Sequence, residues 1–217
     1  APVPEPMDIP ALRERAETYF GGLAPTHDWH HVERVVENAE TLADRTDRAV
    51  DRDTLLAAAW LHDIGRKREA DGEIADHAEW GAGEARRILE GQDADAETVD
   101  AVAHCIRAHR FSNDVEPESL EAELLSDADN LDAIGAVGLA RTFAYAGEHG
   151  NTLHDPELPP EADDSPAGET SFNHIHKKLL RIQDRMYTDA GREMAADRHA
   201  FLETFVDRFE AEVAGER

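Results

Sequence analysis

The chain has 217 residues, enough for one sizeable core and at most two small domains. Its 22 basic and 48 acidic residues leave a formal net charge of −26, which disfavours duplex DNA or RNA and anionic membranes as partners. Cys105 is its one cysteine, which excludes an internal disulfide and points to the cytoplasm, and no run approaches the roughly 20 apolar residues of a membrane span.

The N-terminal stretch Ala1-Pro2-Val3-Pro4-Glu5-Pro6 lacks the basic and apolar regions of a signal peptide. Beyond it nearly every segment has an apolar period of 3.6, and none alternates as a strand would. Asp8 caps a first helix whose Leu12, Ala16, Tyr19 and Phe20 share a face, and Gly21-Gly22 ends it. A second helix is predicted over residues 28–44, with Val32, Val35, Val36, Ala39 and Leu42 turned inward. The third, over 52–63, is apolar almost all round and should be the most buried. Gly65 and the polar segment to Asp76 are predicted as a loop. Helices follow over 77–89, 97–109, 119–131 and 136–148. The stretch 150–171 carries Pro156, Pro159, Pro160 and Pro166 with few apolar residues, and is predicted as a long surface loop, functional or mobile. Two helices, 172–186 and 191–214, close the chain. The reading is an all-α fold with one domain over 27–217, on which an N-terminal helix within 1–26 packs.

The pair His62-Asp63 stands where the third helix leaves the core. Desolvating an unpaired carboxylate costs several kcal/mol, so a pair in that position calls for a partner, and a metal ion is the obvious one. His31 begins the second helix, and Asp129 lies in Ser126-Asp127-Ala128-Asp129-Asn130-Leu131-Asp132. Two imidazoles and two carboxylates suit a divalent ion such as Mn²⁺, Fe²⁺, Co²⁺, Zn²⁺ or Mg²⁺, and leave positions for water and a phosphate oxygen.

His31-Val32-Glu33-Arg34-Val35, Leu61-His62-Asp63-Ile64-Gly65-Arg66 and Ser126 to Asp132 together resemble the H…HD…D signature of the HD-domain metal-dependent phosphohydrolases. Ala128-Asp129-Asn130-Leu131-Asp132-Ala133-Ile134-Gly135-Ala136, then Arg141-Thr142-Phe143-Ala144-Tyr145, and later Asn173-His174 with Lys177-Lys178-Leu179-Leu180 are similar to the YedJ/YpgQ-like branch. The resemblance runs from about residue 27 to 210. It implies a single HD-domain helical fold and release of pyrophosphate from nucleoside triphosphates. It gives His31, His62, Asp63 and Asp129 the ligand roles, with Asp127 the rival for the last place. Mn²⁺ is the favoured ion, with Mg²⁺, Co²⁺, Fe²⁺, Zn²⁺ and Ni²⁺ as alternatives. The charge balance, for its part, resembles that of proteins from extreme halophilic archaea, where salt screens self-repulsion.

Three histidines lie between the signature elements. His77 and His109 match the places where two-metal HD proteins hold a second ion; His104, five residues before His109, is turned about 140° away on the helix. The alternative for all three is contact with substrate phosphates or a plain helix-capping role. His27 and His30 are expected at the surface or pocket rim, and His154 and His199 in solvent. His62 and Asp63 are assigned to catalysis together with Arg34, one turn after His31. The cations proposed for substrate phosphate are Arg66, Lys67 and Arg68 beside the HD pair, Arg141, and Lys177 with Lys178. The expected ligand is a nucleotide or another small phosphate ester, and a homo-oligomer is compatible with the sequence. A 5′-nucleotidase or phosphodiesterase on the same metal site is the alternative within hydrolases. Di-iron oxygenase chemistry and a non-catalytic nucleotide-sensing module stand further off.

Overall fold

Aspartate and threonine side chains start most of the helices. Asp8 Oδ1 accepts from the Ala11 amide at 3.0 Å, Asp28 from His31 at 3.1 Å, Asp51 from Thr54 at 3.1 Å, and Asp95 from Thr98 at 2.9 Å. Asp76 takes both the Ala78 and Glu79 amides, while Thr170 and Thr188 accept from Asn173 and Gly191. Each cap satisfies an amide that the helix cannot, and each aspartate places its charge at the positive end of a helix dipole. Part of the acidic excess is therefore bound into the architecture.

The computed structural model describes residues 7–110 and 115–216. The six residues read for signal-peptide features lie outside them. Among the described residues there is no strand. The helices are α1 (Ile9–Glu17), α2 (Trp29–Arg45), α3 (Arg52–Leu61), α4 (Arg66–Ala70), α5 (His77–Glu90), α6 (Ala96–Ala108), α7 (Leu120–Asp132), α8 (Gly135–His149), α9 (Ser171–Lys177) and α10 (Asp189–Val213), with a 3-10 helix at Leu179–Arg185. None of these helices is long and apolar enough to cross a membrane.

Contacts divide the chain into two compact units, 1–129 and 130–217. In the first, α3 lies against α1, α2 and α6, and α5 packs on α6. Leu12, Leu42, Leu55, Leu61, Ile64, Leu89, Ile106 and Leu124 are fully buried there. In the second, α10 packs on α8 and on the 3-10 helix, around Ile175, Leu179, Ile182 and Leu202.

Two segments depart from the sequence expectation. Residues 66–70, expected in a loop, form α4. Arg66-Lys67-Arg68-Glu69-Ala70 contains only good helix formers, and Arg66 pairs with Glu69 one turn on. Residues 172–186, expected as one helix, break at Lys178 (φ −124°, ψ −61°). The 3-10 helix that follows buries Leu179 and Ile182, a spacing of three that matches its three residues per turn.

The loop between α8 and α9 is organised around the buried Asp163. Its carboxylate accepts from Ser165 N and Oγ (2.9 and 2.6 Å), Glu169 N (2.8 Å) and Asn173 Nδ2 (2.8 Å). Lys177 Nζ donates to the Asp163 and Ser165 carbonyls. Two further histidine expectations are corrected in the second unit. His154 lies edge-on to Phe172 and Phe209 at 5.4 and 5.7 Å, and His199 has a mostly buried side chain 3.5 Å from Glu203. Both imidazoles fill gaps beside apolar or acidic groups that a one-dimensional reading does not bring near them.

Candidate metal centre

The first unit brings four histidines onto one carboxylate. His62 directly follows α3 and His109 directly follows α6, each still in helical conformation. In both, Nδ1 hydrogen-bonds the carbonyl three residues back: His62 to Ala59 at 2.7 Å, His109 to Ile106 at 2.6 Å. A carbonyl only accepts, so Nδ1 carries the hydrogen and Nε2 presents its lone pair inward. His31 sits in the first turn of α2, fixed by the Asp28 cap, and His77 opens α5 above Asp76.

Gly65 makes the fourth approach possible. A Cβ there would stand 2.5 Å from the His77 carbonyl oxygen and 2.9 Å from its Cα, so the start of α5 can lie against the HD turn only because position 65 has no side chain.

Asp63 divides the histidines between its two oxygens. Oδ2 faces His31 Nε2 at 3.5 Å and His62 Nε2 at 3.7 Å; Oδ1 faces His77 Nε2 at 3.1 Å and His109 Nε2 at 3.6 Å. Asp129 Oδ1 stands 3.4 Å from His31 Nε2. His31, His62, Asp63, His77 and His109 are buried, while the Asp129 side chain keeps 24% of its exposure, so solvent reaches the cluster on the Asp129 side. Asn38 of α2 donates to the Ala128 carbonyl at 3.1 Å, which ties the residue before Asp129 to the helix that carries His31.

Burial pushes the His62 imidazole down to about 4, outweighing the nearby carboxylates, so it is neutral and able to ligate at neutral pH. Burial works in the opposite sense on Asp63, but the permanent charge of the Arg66 guanidinium helps to outweigh it and hold the carboxyl well below the usual range. Asp129 is likewise held low against its burial, chiefly by His31. The centre therefore offers a neutral His62 imidazole and two ionised carboxylates beside three further histidines, a donor set that suits a divalent cation.

Among the described residues, the buried Nε2 atoms of His62, His77 and His109 face Asp63 oxygens but make no hydrogen bond. Such atoms are costly unless something absent from the polypeptide satisfies them. Two groups have ligand atoms within 4.8 Å of one another and share Asp63: His31, His62 and Asp63 on one side, and Asp63, His77 and His109 on the other. The residues present thus fit a divalent ion, with places for two.

The model of the HD domain matches residues 28–134, which span every residue of this cluster. YpgQ of Bacillus subtilis, described as an uncharacterized protein, is 34% identical over 193 residues, 87% of this chain and 85% of YpgQ. An HD-superfamily hydrolase of Bacillus thuringiensis superposes with a TM-score of 0.75 at 33% identity, over 95% of this chain and 96% of that one. The chain belongs to the HD superfamily of metal-dependent phosphohydrolases. The crystal structure of YpgQ in complex with ADP superposes on this HD hydrolase with a TM-score of 0.74 at 29% identity, covering 96% of this chain and 99% of that one. The 3′-5′ exoribonuclease YhaM of Bacillus velezensis is 31% identical over 141 residues, but the match spans only 43% of YhaM. These relatives are bacterial, and the archaeal source expected from the charge has no support among them.

The other residues expected in the site of this HD hydrolase are placed as follows. Arg66 Nε bonds both Asp63 oxygens, at 3.1 and 3.0 Å. Lys67 pairs with Asp71 at 2.8 Å, and Arg68 with Glu73 at 2.7 Å while lying over Trp80. Arg34 is half-buried one turn after His31. His104 Nε2 accepts the Glu118 amide at 2.9 Å, so this imidazole caps a loop and does not join the cluster. In the second unit Arg141 bonds the Asp132 carboxylate at 2.9 Å, Lys177 latches the Asp163 loop, and Lys178 stands at the break after α9. Two residues escaped the sequence reading: Glu69, which accepts from His77 Nδ1 at 2.9 Å, and Arg110, 2.9 Å from Glu69. The signal for Glu69 was its spacing of three from Arg66, legible only if 66–70 is a helix.

Proposed function

We propose that this HD hydrolase cleaves nucleoside triphosphates to nucleoside monophosphate and pyrophosphate, with Mn²⁺ as its favoured ion and the cytoplasm as its place of work. The observation that carries the reading is the pair of histidine groups sharing Asp63, open to solvent beside Asp129. The ADP complex of YpgQ supports a nucleotide as the ligand class. His31, His62, Asp63 and Asp129 would hold one ion, and His77 and His109 with Asp63 a second. Such ions neutralise phosphoryl charge and acidify water. The chain's own residues do the rest. His62 and His109, held by their carbonyl bonds, keep their Nε2 lone pairs directed inward. The ionised Asp63 and Asp129 supply negative charge that retains the cations. Arg34, on the same helix as His31, is the cation we assign to substrate phosphate.

A phosphodiesterase reading is favoured by one specific observation, the exoribonuclease name of YhaM. The two readings part by product. The purified protein is incubated with Mn²⁺ and, separately, nucleoside triphosphates, monophosphates and short single-stranded RNA, at low and high salt. Pyrophosphate with monophosphate from the triphosphates is the expected result. Monophosphates released from RNA alone support the phosphodiesterase, and free phosphate from monophosphates supports a 5′-nucleotidase. Absence of turnover with every substrate refutes both and favours a sensing module. His62→Ala and Asp63→Ala should abolish turnover and Mn²⁺ binding together.

A further inference from the structure

His77 differs from the other histidines of the cluster in what holds its outer nitrogen. His62 and His109 turn Nδ1 to neutral backbone carbonyls, whereas His77 turns Nδ1 to the carboxylate of Glu69 at 2.9 Å. Glu69 also accepts the His77 amide at 3.3 Å, so one side chain fixes both the ring and the first residue of α5. The contacts close into a ring. Asp63 Oδ1 lies 3.1 Å from His77 Nε2, His77 Nδ1 meets Glu69, Glu69 Oε2 lies 3.6 Å from Arg66 NH1, and Arg66 Nε returns to Asp63.

Glu69, Asp76 and His77 could also be taken as a third cation site, since their ligand atoms cluster. Arg110 argues against it. Its NH1 stands 2.9 Å from Glu69 Oε1, 4.0 Å from Asp76 Oδ1 and 3.5 Å from His77 Nδ1, so a permanent cation already occupies that position. What remains for Glu69 is an orienting role. A carboxylate on the far nitrogen of an imidazole fixes its tautomer and raises its basicity as a ligand. The remaining charged neighbours, Arg66 and Arg110, hold the carboxylate in place from either side.

We propose that Glu69 is a positioning residue that aims His77 Nε2 at the ion shared with Asp63 and His109, with Arg66 and Arg110 as its supports. The proposal rests on the two-ion reading of the centre. It makes α4, short as it is, the element that decides whether the second position is filled.

The test is the binding of Mn²⁺ alone, by calorimetry with elemental analysis of bound metal, to wild type, Glu69→Ala, Glu69→Gln and His31→Ala, each first checked for helix content. Wild type is expected to bind two ions. Glu69→Ala should weaken one of the two by about 10–100-fold and leave the other unchanged. His31→Ala should weaken the other one. Glu69→Gln, which keeps an acceptor without the charge, should recover part of the loss. Wild type that binds two ions with a Glu69→Ala isotherm superposing on it overturns the positioning role and spares the metal reading. Equal weakening of both ions by Glu69→Ala also overturns it, because a general structural effect would act that way. Wild type that binds fewer than two ions overturns the two-ion reading, and the role of Glu69 with it.

Discussion

Replacing Arg66 with alanine removes the guanidinium whose Nε lies 3.0 and 3.1 Å from the two oxygens of Asp63. The Asp63 side chain is wholly buried, so the variant leaves an ionised group facing imidazoles in place of a permanent positive charge. Breaking a fully buried ion pair by deleting one partner costs about 3–5 kcal/mol. The Arg66 side chain keeps 21% of its exposure, and screening through that opening brings the expected loss to about 2–3 kcal/mol. At about 2–4 °C per kcal/mol for a chain of this length, the metal-free variant should melt about 4–12 °C below wild type. A divalent ion bound by His31, His62 and Asp63 brings positive charge to the same carboxylate, so saturating Mn²⁺ should shrink the deficit. The assay is thermal melting by circular dichroism of both proteins, once in EDTA and once with Mn²⁺. A metal-free deficit below about 1 kcal/mol, within the range of an ordinary surface pair, would refute the assignment of Arg66 to Asp63. A deficit of equal size with and without Mn²⁺ would refute the placement of the ion.

Gly65→Ala should destabilise the protein by about 1–3 kcal/mol in urea titration and weaken Mn²⁺ binding, because the new methyl group meets the His77 backbone; unchanged stability and binding would contradict the close approach. Burial raises the Cys105 thiol to about 12 from an ordinary value of 9.0, which cuts its thiolate fraction about 10³-fold, so a disulfide reagent at mildly alkaline pH should label it only after denaturant is added. The Ser165 hydroxyl and the Glu169 amide hold the Asp163 carboxyl well below the usual range, so its stabilising contribution is complete above the unfolded value and lost as pH falls through the folded one. The gap in melting temperature between wild type and Asp163→Asn should therefore narrow from about pH 5 to about pH 2; a gap that widens would contradict the sign.

The all-helical class was legible because apolar period and capping residues are local properties. Asp8 caps the first helix as the sequence predicts, and Asp28 and Asp51 cap the second and third within a residue of their predicted starts. Where the local signal was ambiguous the reading failed. The charged segment 66–70 reads as a loop until its salt bridges to Asp63 and Glu69 are seen, and 172–186 reads as one helix until Lys178 breaks it. The same limit applies to the cations. Lys67, Arg68, Arg141 and Lys177 stand out as basic residues in an acidic chain, yet each has an acidic or carbonyl partner within its own unit. Charge type is written in the sequence, but the partner is set by folding.

By itself, the sequence determined the helical class, the buried HD turn and the order His31, His62, Asp63, Asp129, since these depend on residue identity and helical period. The tertiary structure alone decided that His77 and His109 face one oxygen of Asp63 while His31 and His62 face the other. It also brought in Glu69 and Arg110, and gave His104, already turned from His109 by the helical period, the Glu118 amide as its partner. The physical reason is that ligand geometry depends on which helix ends meet. That meeting is fixed by packing between elements far apart in the chain, down to the missing side chain at Gly65.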